Sequence, residues 1–439
     1  MARIKNRIGL ERTFFNLYLK IAVFLHFTRE VAARRMPMTG FFGFLDRLLY
    51  FLAKMKDNKY VTTHGRTKIN LYVPAFPSPA FYKACAKVRT IGRKQPAISV
   101  LLSVTSGCRF RCEHCYQKHD LGRDVPLDYL LDAVRQLDAM GIAFFNIEGG
   151  DPFLAYDRLK AVCSAVSTGE IFVNSTGDGI TVERLRELKS LGVRAIMFSL
   201  HSPDPEELNR FMGRDHAWET LMKGISCCHE AGVDATVNTC LLRNAFFDGT
   251  FDRIMTLTRD LGVSIVQLIK PKPSGAWLGS DLAVFSQEDL NHVEAMVHRY
   301  NNDRAMVKYP FVAAQIHDER SDLFGCTAGG TDRFYINAKG DVQPCEFLNI
   351  SYGNIQNEAF EAIYARMRES FDIPGDHWLC EHCAEDIHRL YKEGGARALP
   401  LDPETSAKVI EGWDRGNVPD FYAYADVKHR KQEDGDGEQ

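Results

Sequence analysis

No run in this 439-residue sequence reaches the roughly 18 uncharged apolar residues that a membrane-spanning helix requires. The nearest, 21–27, is bracketed by Lys20 and Arg29. No small-residue cleavage site follows the first apolar stretch, so no secretory signal peptide is expected. There is no internal repeat and no extended low-complexity segment. An excess of one charge is also missing. The 54 Lys and Arg meet 57 Asp and Glu, a net charge of −3, and no overall field points to nucleic acid. Charged residues at 25% and hydrophobic ones at 45% exclude a disordered, collagen-like or small disulfide-stapled chain. At about 150 residues per domain, the length fits two to three domains.

Cysteine is plentiful, with twelve residues. Without a secretory route the protein is expected in the cytoplasm, where thiols stay reduced. Clustered cysteines there read as metal or catalytic sites.

The balanced charge hides an asymmetry. Residues 1–60 hold twelve Lys and Arg against four Asp and Glu, a local excess of eight positive charges. Helical periodicity predicts helices over 10–35 and 40–56. In the first, Phe14, Leu17, Tyr18, Ile21, Phe24, Leu25 and Val31 recur at three- and four-residue spacing. In the second, Phe41, Phe44, Leu45, Leu48, Leu52 and Met55 share a face, with Asp46, Arg47 and Lys54 away from it. Two readings stay open: helices packed on the main domain, or basic amphipathic helices lying on the inner face of a membrane. Residues 61–96, with Pro74, Pro77, Pro79 and Pro96, read as a linker.

From Ala97 the pattern turns to alternating strands and helices. Strands are predicted over 98–104, 143–147, 171–173, 193–200, 233–241 and 263–269. Helices fall between them, two of them closed by Gly192 and Gly232. Apolar strands between amphipathic helices imply a parallel sheet covered by helices. A closed eightfold barrel needs two more units, so the expected fold is α/β, a partial TIM-like barrel of six units over 97–285. A helix over 286–302 opens a smaller Cys-rich α+β module, 286–395. An extension follows over 396–439, with an acidic tail at 432–439.

The strongest signal is Ser106-Gly107-Cys108-Arg109-Phe110-Arg111-Cys112-Glu113-His114-Cys115-Tyr116, directly after the first barrel strand. Active sites of parallel α/β folds lie on such loops. Three close thiolates suit a soft metal or an iron–sulfur cluster, and three ligands on a four-iron cubane leave one iron open. The alternative is a zinc site, with Cys112 and Cys115 joined by Cys380 and Cys383. That arrangement leaves Cys108, Cys326 and Cys345 without a role.

This Cys-x3-Cys-x2-Cys loop resembles the signature of the radical SAM superfamily. The resemblance implies a partial (β/α)6 barrel with Cys108, Cys112 and Cys115 on a [4Fe-4S] cluster. S-adenosylmethionine would chelate the open iron and be cleaved reductively to a 5′-deoxyadenosyl radical that abstracts a substrate hydrogen. It also implies a reductant such as flavodoxin or ferredoxin. Glu148-Gly149-Gly150-Asp151-Pro152 stands where the family has Gly-Gly-Glu-Pro, so Gly149, Gly150 and Asp151 are assigned to the methionyl amine. Asn174 and Ser199, at the ends of the third and fourth strands, and Tyr116 are assigned to the same ligand. Arg214, ahead of Arg210, is assigned to the carboxylate. Lys270 and Lys272 fall in a Pro- and Gly-bearing loop that is expected to be solvated.

Downstream, Cys326, thirteen residues, Gly340, four residues, Cys345, and then Cys380-x2-Cys383 resemble the twitch subdomain, the shortened relative of the SPASM domain. The resemblance implies one auxiliary [4Fe-4S] cluster closed by four thiolates, with zinc in the same thiolates as the alternative. Residues 334–344 are expected to form a hairpin turning at Lys339-Gly340. Cys85, Cys163, Cys227, Cys228 and Cys240 lack ligand spacing and read as buried thiols. His114 and His382 are expected beside the clusters or the adenine, not as ligands.

Relatives with such domains act on peptides, proteins, sugars and tetrapyrrole-type molecules. The basic N-terminus favours a lipid or membrane-associated substrate. The alternatives are a ribosomal peptide-modifying enzyme or, from another class, a zinc-stabilised binding protein without catalysis.

Overall fold

The computed structural model describes residues 4–90, 97–120, 122–281, 284–393, 395 and 398–425. The acidic tail at 432–439 and Pro96 lie outside these residues. The N-terminal module begins with β1 (Lys5–Arg7), α1 (Gly9–Ala32) and α2 (Phe41–Lys54). The face expected of α2 is buried throughout. Arg47 differs from expectation: it is buried, donating to the carbonyls of Val88 and Arg89. On α1 the core takes Leu19, Val23 and Phe27, while the stripe singled out by periodicity is left largely exposed.

The segment read as a linker is structured. It holds β2 (Tyr60–Thr63), β3 (Arg66–Lys68) and α3 (Pro79–Lys87). Strands β1, β2 and β3 pair antiparallel in that order. Proline does not break α3 because Pro79 sits at its start, where no amide donor is needed, and the Ser78 hydroxyl caps the Phe81 amide at 3.0 Å.

The six predicted barrel strands all form: β4 (Ser99–Ser103), β5 (Phe144–Glu148), β6 (Glu170–Ser175), β7 (Val193–Ser199), β8 (Asp234–Cys240) and β9 (Ile265–Ile269). Helices α4 (Leu127–Ala139), α5 (Tyr156–Ala165), α6 (Val182–Ser190), α7 (Pro205–Phe211), α8 (Ala217–Ala231) and α9 (Thr250–Asp260) connect them. The sheet extends beyond the expected six strands. After α10 (Gln287–Asn302), β10 (Phe311–Ala314) pairs parallel with β9. At the other edge, β11 (Tyr335–Ile336) pairs parallel with β4 and antiparallel with β12 (Val342–Gln343). Its turn uses Gly340 at φ +93°, as the hairpin expectation required. The sheet is open, running from β10 to β12 among the described residues.

The two-residue period of the strands explains how this sheet builds a site. Residues such as Phe145, Ile147, Val173, Ile196 and Val237 pack under the helices. The alternate residues Phe144, Phe172, Met197, Ile265 and Phe311 point the other way and form an apolar floor with Val61 and Leu71. Tyr72 packs on that floor and accepts a hydrogen bond from Gln267 at 2.5 Å. The supposed linker therefore plugs the barrel. Lys68 fixes the plug through a buried ion pair with Glu170 at 2.6 Å. One step further along the inner face, the residues become polar: Asn146, Glu148, Asn174, Ser199, Asn238 and Gln267.

Candidate functional site

These polar strand ends open into a cavity of about 310 Å³. Parallel pairing brings them together: Ser199 stands opposite Asn238, and Asn238 opposite Gln267. Cys108, Cys112 and Cys115 line the same cavity from the loop after β4.

That loop is held from several sides. Thr105 and Ser106 donate to Asp124 at 2.6–2.8 Å, and the Arg111 and Glu113 amides donate to the Met212 and Phe211 carbonyls, both at 3.0 Å. The amides of Gly150 and Asp151 donate to the Thr105 and Gly107 carbonyls at 2.7 and 2.8 Å. Glycine is required here for contact between two loops. A Cβ on Gly150 would lie 2.2 Å from the Gly107 oxygen, and one on Gly149, at φ +150°, would lie 2.4 Å from the Thr105 oxygen. Gly150→Ala is therefore expected to cost about 1–3 kcal/mol, read as a lower melting temperature together with lower iron content.

The three thiols line one cavity wall, although among the described residues no three His, Cys, Asp or Glu side chains stand close enough to hold a single metal ion. Burial, and then mutual repulsion, raises Cys112, and burial pushes Cys108 up to about 11. Neighbouring thiols that repel one another as thiolates are stabilised by a cation in their midst. The Oδ1 atoms of Asn146 and Asn174 are buried without a partner beside them, acceptors still available to a ligand.

The assigned ligand contacts divide. Gly149, Gly150, Asn174, Ser199 and Tyr116 all line the cavity. Asp151 does not. Its buried carboxylate accepts from the Thr176 amide at 2.9 Å, the Ser175 hydroxyl at 3.2 Å, the Phe153 amide at 3.0 Å and the Thr176 hydroxyl. It ties two strand-end loops together and has no face toward the cavity. Arg214 also lies outside the lining, donating to the Arg109 carbonyl at 3.2 Å and covering Phe110. Both steady the cluster loop. Arg210 is exposed.

Beside Glu346, the cavity is faced by the carboxyl of Glu148. Tyr116 donates to its Oε1 at 2.7 Å and Asn174 to its Oε2 at 3.1 Å. Burial, and then Glu346, pushes it up to about 8. The folded protein thus keeps a proton that the unfolded chain releases near 4.5. Stability is full below that value and falls as pH rises toward about 8. Glu148→Gln is expected to flatten this decline, checked by urea midpoints of both proteins from about pH 5 to about pH 8. The sequence signal for Glu148 was present: a polar residue two and four places beyond inward-facing Asn146 and Phe144.

An aromatic wall closes one side. His114 stacks on Phe211 at 4.9 Å and lies 5.9 Å from Trp277, and burial holds it down to about 4. Its ring lines the cavity.

The second group of thiols assembles below the hairpin. Cys326, Cys345 and Cys380 surround a small void, and Cys383 is electrostatically coupled to Cys326. Four thiols from three chain segments suit a closed cluster. Of the remaining five cysteines, Cys85, Cys163, Cys228 and Cys240 are buried and Cys227 is half-buried. His382 stacks on His377 at 4.1 Å.

Lys270 and Lys272 overturn the expectation of a solvated loop. Both are buried and converge on Glu381, between Cys380 and Cys383, at 2.7 and 2.8 Å. The Lys272 ammonium also stands 3.4 Å from the Trp378 ring centre and lines both the main cavity and the void between the downstream thiols. Burial overrides the polarity of this loop because the downstream module folds over it.

Comparison with known proteins agrees with this geometry. Residues 102–257 match the radical SAM superfamily, and 326–384 match SPASM, an iron–sulfur cluster-binding domain. The chain is 26% identical over 303 residues to an AdoMet-dependent heme synthase of Nitratidesulfovibrio vulgaris, covering 63% of this chain and 82% of that protein. It is 25% identical over 320 residues to a PqqA peptide cyclase of Streptomyces rochei, covering 68% and 84%. Among solved structures it resembles Streptococcus suis SuiB bound to precursor peptide SuiA, with a TM-score of 0.51 and 17% identity over 64% of this chain and 68% of that one.

Proposed function

This chain carries a radical SAM domain and an iron–sulfur SPASM domain and is an enzyme of that kind, and we propose that it abstracts a hydrogen atom from a lipid or membrane-associated substrate. With its [4Fe-4S] cluster and S-adenosylmethionine bound, the site supplies one-electron cleavage to methionine and a 5′-deoxyadenosyl radical. The observation that carries the reading is a single one: Cys108, Cys112 and Cys115 open into the same cavity as the polar strand ends.

The residues divide the work by position. Cys108, Cys112 and Cys115 hold the cluster and leave one corner for the nucleotide. The Gly149–Gly150 backbone, Asn174, Ser199 and Tyr116 bind the nucleotide, and His114 stacks near its base. Glu148 takes the amine-facing role first assigned to Asp151, because its carboxyl lies on the cavity wall next to Gly149 and is bonded to Tyr116 and Asn174. Cys326, Cys345, Cys380 and Cys383 would hold one auxiliary [4Fe-4S] cluster, which would supply electron transfer. A flavodoxin or ferredoxin delivers the reducing electron. The apolar floor excludes water from below.

The substrate class rests on the exposed apolar stripe of α1 and the excess of positive charge over residues 1–60, which favour a place on the inner face of a membrane. A second reading, a peptide-modifying enzyme, is supported by the resemblance to the PqqA peptide cyclase. The test is anaerobic incubation of the reduced protein with S-adenosylmethionine. Release of 5′-deoxyadenosine from a brown, iron-containing protein is expected; a colourless zinc protein that releases none overturns the reading.

A further inference from the structure

Helix α1 has two apolar faces, and the core uses one. Leu19, Val23 and Phe27 are buried with α2. Elsewhere on the same helix, Leu10, Phe14, Leu17, Ile21 and Leu25 stay exposed, Phe14 at 69% and Ile21 at 50%. Tyr18 and Phe24 border them. At 3.6 residues per turn these seven side chains fall in an arc of about 120°, a stripe about 22 Å long. Met38 and Phe42 add exposed apolar surface at the turn into α2, Phe42 at 71%. Scattered exposed apolar residues are ordinary, but a continuous stripe of this size marks an interaction surface.

We propose that α1 seats the protein on an anionic phospholipid surface, lying in its plane with the stripe inserted among the acyl chains. The stripe is a ridge rather than a groove, so it enters a soft medium more readily than it receives a partner. Tyr18 is of the kind that settles at the headgroup boundary, and Phe14 and Phe24 suit the apolar face of a helix lying in the membrane plane. No helix among the described residues is long and apolar enough to cross a membrane, which leaves lying on it. Charge selects the lipid. Residues 1–60 carry eight more positive than negative charges; Arg47 and Lys59 among them are buried, while Arg29 and Arg34 are exposed at the end of α1, as is Arg35, paired with Glu30.

A second feature points the same way. A surface cleft of about 880 Å³ runs between the C-terminal half of α1 and α3. Arg35, Lys83, Lys87 and Arg89 line it, Arg35 paired with Glu30 and Lys83 with Asp138, which leaves a recess of net positive charge suited to phosphate headgroups. A second copy of the chain would bring the same excess of positive charge to the stripe from the other side, and like charges oppose that pairing. The proposal gives the membrane-associated reading its surface and rests on that reading for its purpose, though not for its test.

The test floats the full chain with phosphatidylcholine vesicles, with and without phosphatidylglycerol, at low and high salt. Flotation with the anionic vesicles at low salt, weakened by salt, is expected. A Phe14→Ser, Ile21→Ser, Leu25→Ser variant is expected to bind at least about tenfold less, while releasing 5′-deoxyadenosine at the rate of the parent protein. Protein left in the soluble fraction with anionic vesicles overturns the proposal, as does a variant that floats like the parent. So does a dimer in sedimentation that the variant converts to monomer, which would assign the stripe to a second copy. Failure of the parent protein to release 5′-deoxyadenosine would strike the catalytic reading and leave the flotation result standing.

Discussion

Cys108→Ala is expected to eliminate 5′-deoxyadenosine release from the reduced protein. Cys108 is the most exposed of the three thiols and lines the cavity, on a loop whose shape other residues maintain. Asp124, Asp151 and Arg214 hold the backbone of that loop and its flanks, so its fold does not depend on the thiol. Loss of an outer partner of a metal ligand typically costs about 10–100-fold, and loss of a ligand itself should exceed that range. Cys380→Ala is expected to retain S-adenosylmethionine cleavage, because its thiol faces the other void. Parallel assays of nucleoside release and iron content separate the two variants. Full cleavage by Cys108→Ala would show that the first cluster is held elsewhere.

The second large effect belongs to Glu381. Glu381→Gln leaves two buried ammonium groups, Lys270 and Lys272, without their shared counter-charge. Breaking a buried pair from one side costs about 3–5 kcal/mol, and the partial exposure of Glu381 places this case at the lower end. The penalty comes from the stranded charges rather than from the lost attraction. The combined Lys270→Met, Lys272→Met and Glu381→Leu variant should therefore recover most of it. Urea denaturation of the anaerobically prepared proteins measures both. A single substitution as stable as the parent protein would mean that water reaches these lysines.

Much of this architecture was legible in the sequence because it rests on local pattern. The barrel strands announce themselves by apolar runs between helices, and the turn at Lys339-Gly340 by its glycine. The cysteine loop is legible by spacing alone. What was not legible depends on tertiary placement. Asp151 was read as facing a ligand, but its partners Ser175 and Thr176 arrive from the next strand, 24 and 25 residues along the chain. Lys270 and Lys272 look like solvated residues until the segment bearing Glu381 closes over them, more than 100 residues later. Strand β10 is four residues long and ends in two alanines, too little periodicity to register. In the supposed linker, four prolines outweighed a local signal that was present, the Ser78-Pro79 start of α3. Periodicity also found the apolar residues of α1 without telling which stripe the core would claim.

The plug that Val61, Leu71 and Tyr72 set against the inner face of the sheet shuts the floor of the cavity to traffic. The strand tips and the gap between the unjoined β10 and β12 edges are the approaches it leaves. A segment that reads as a mere connection in the sequence thereby decides from which side a ligand arrives.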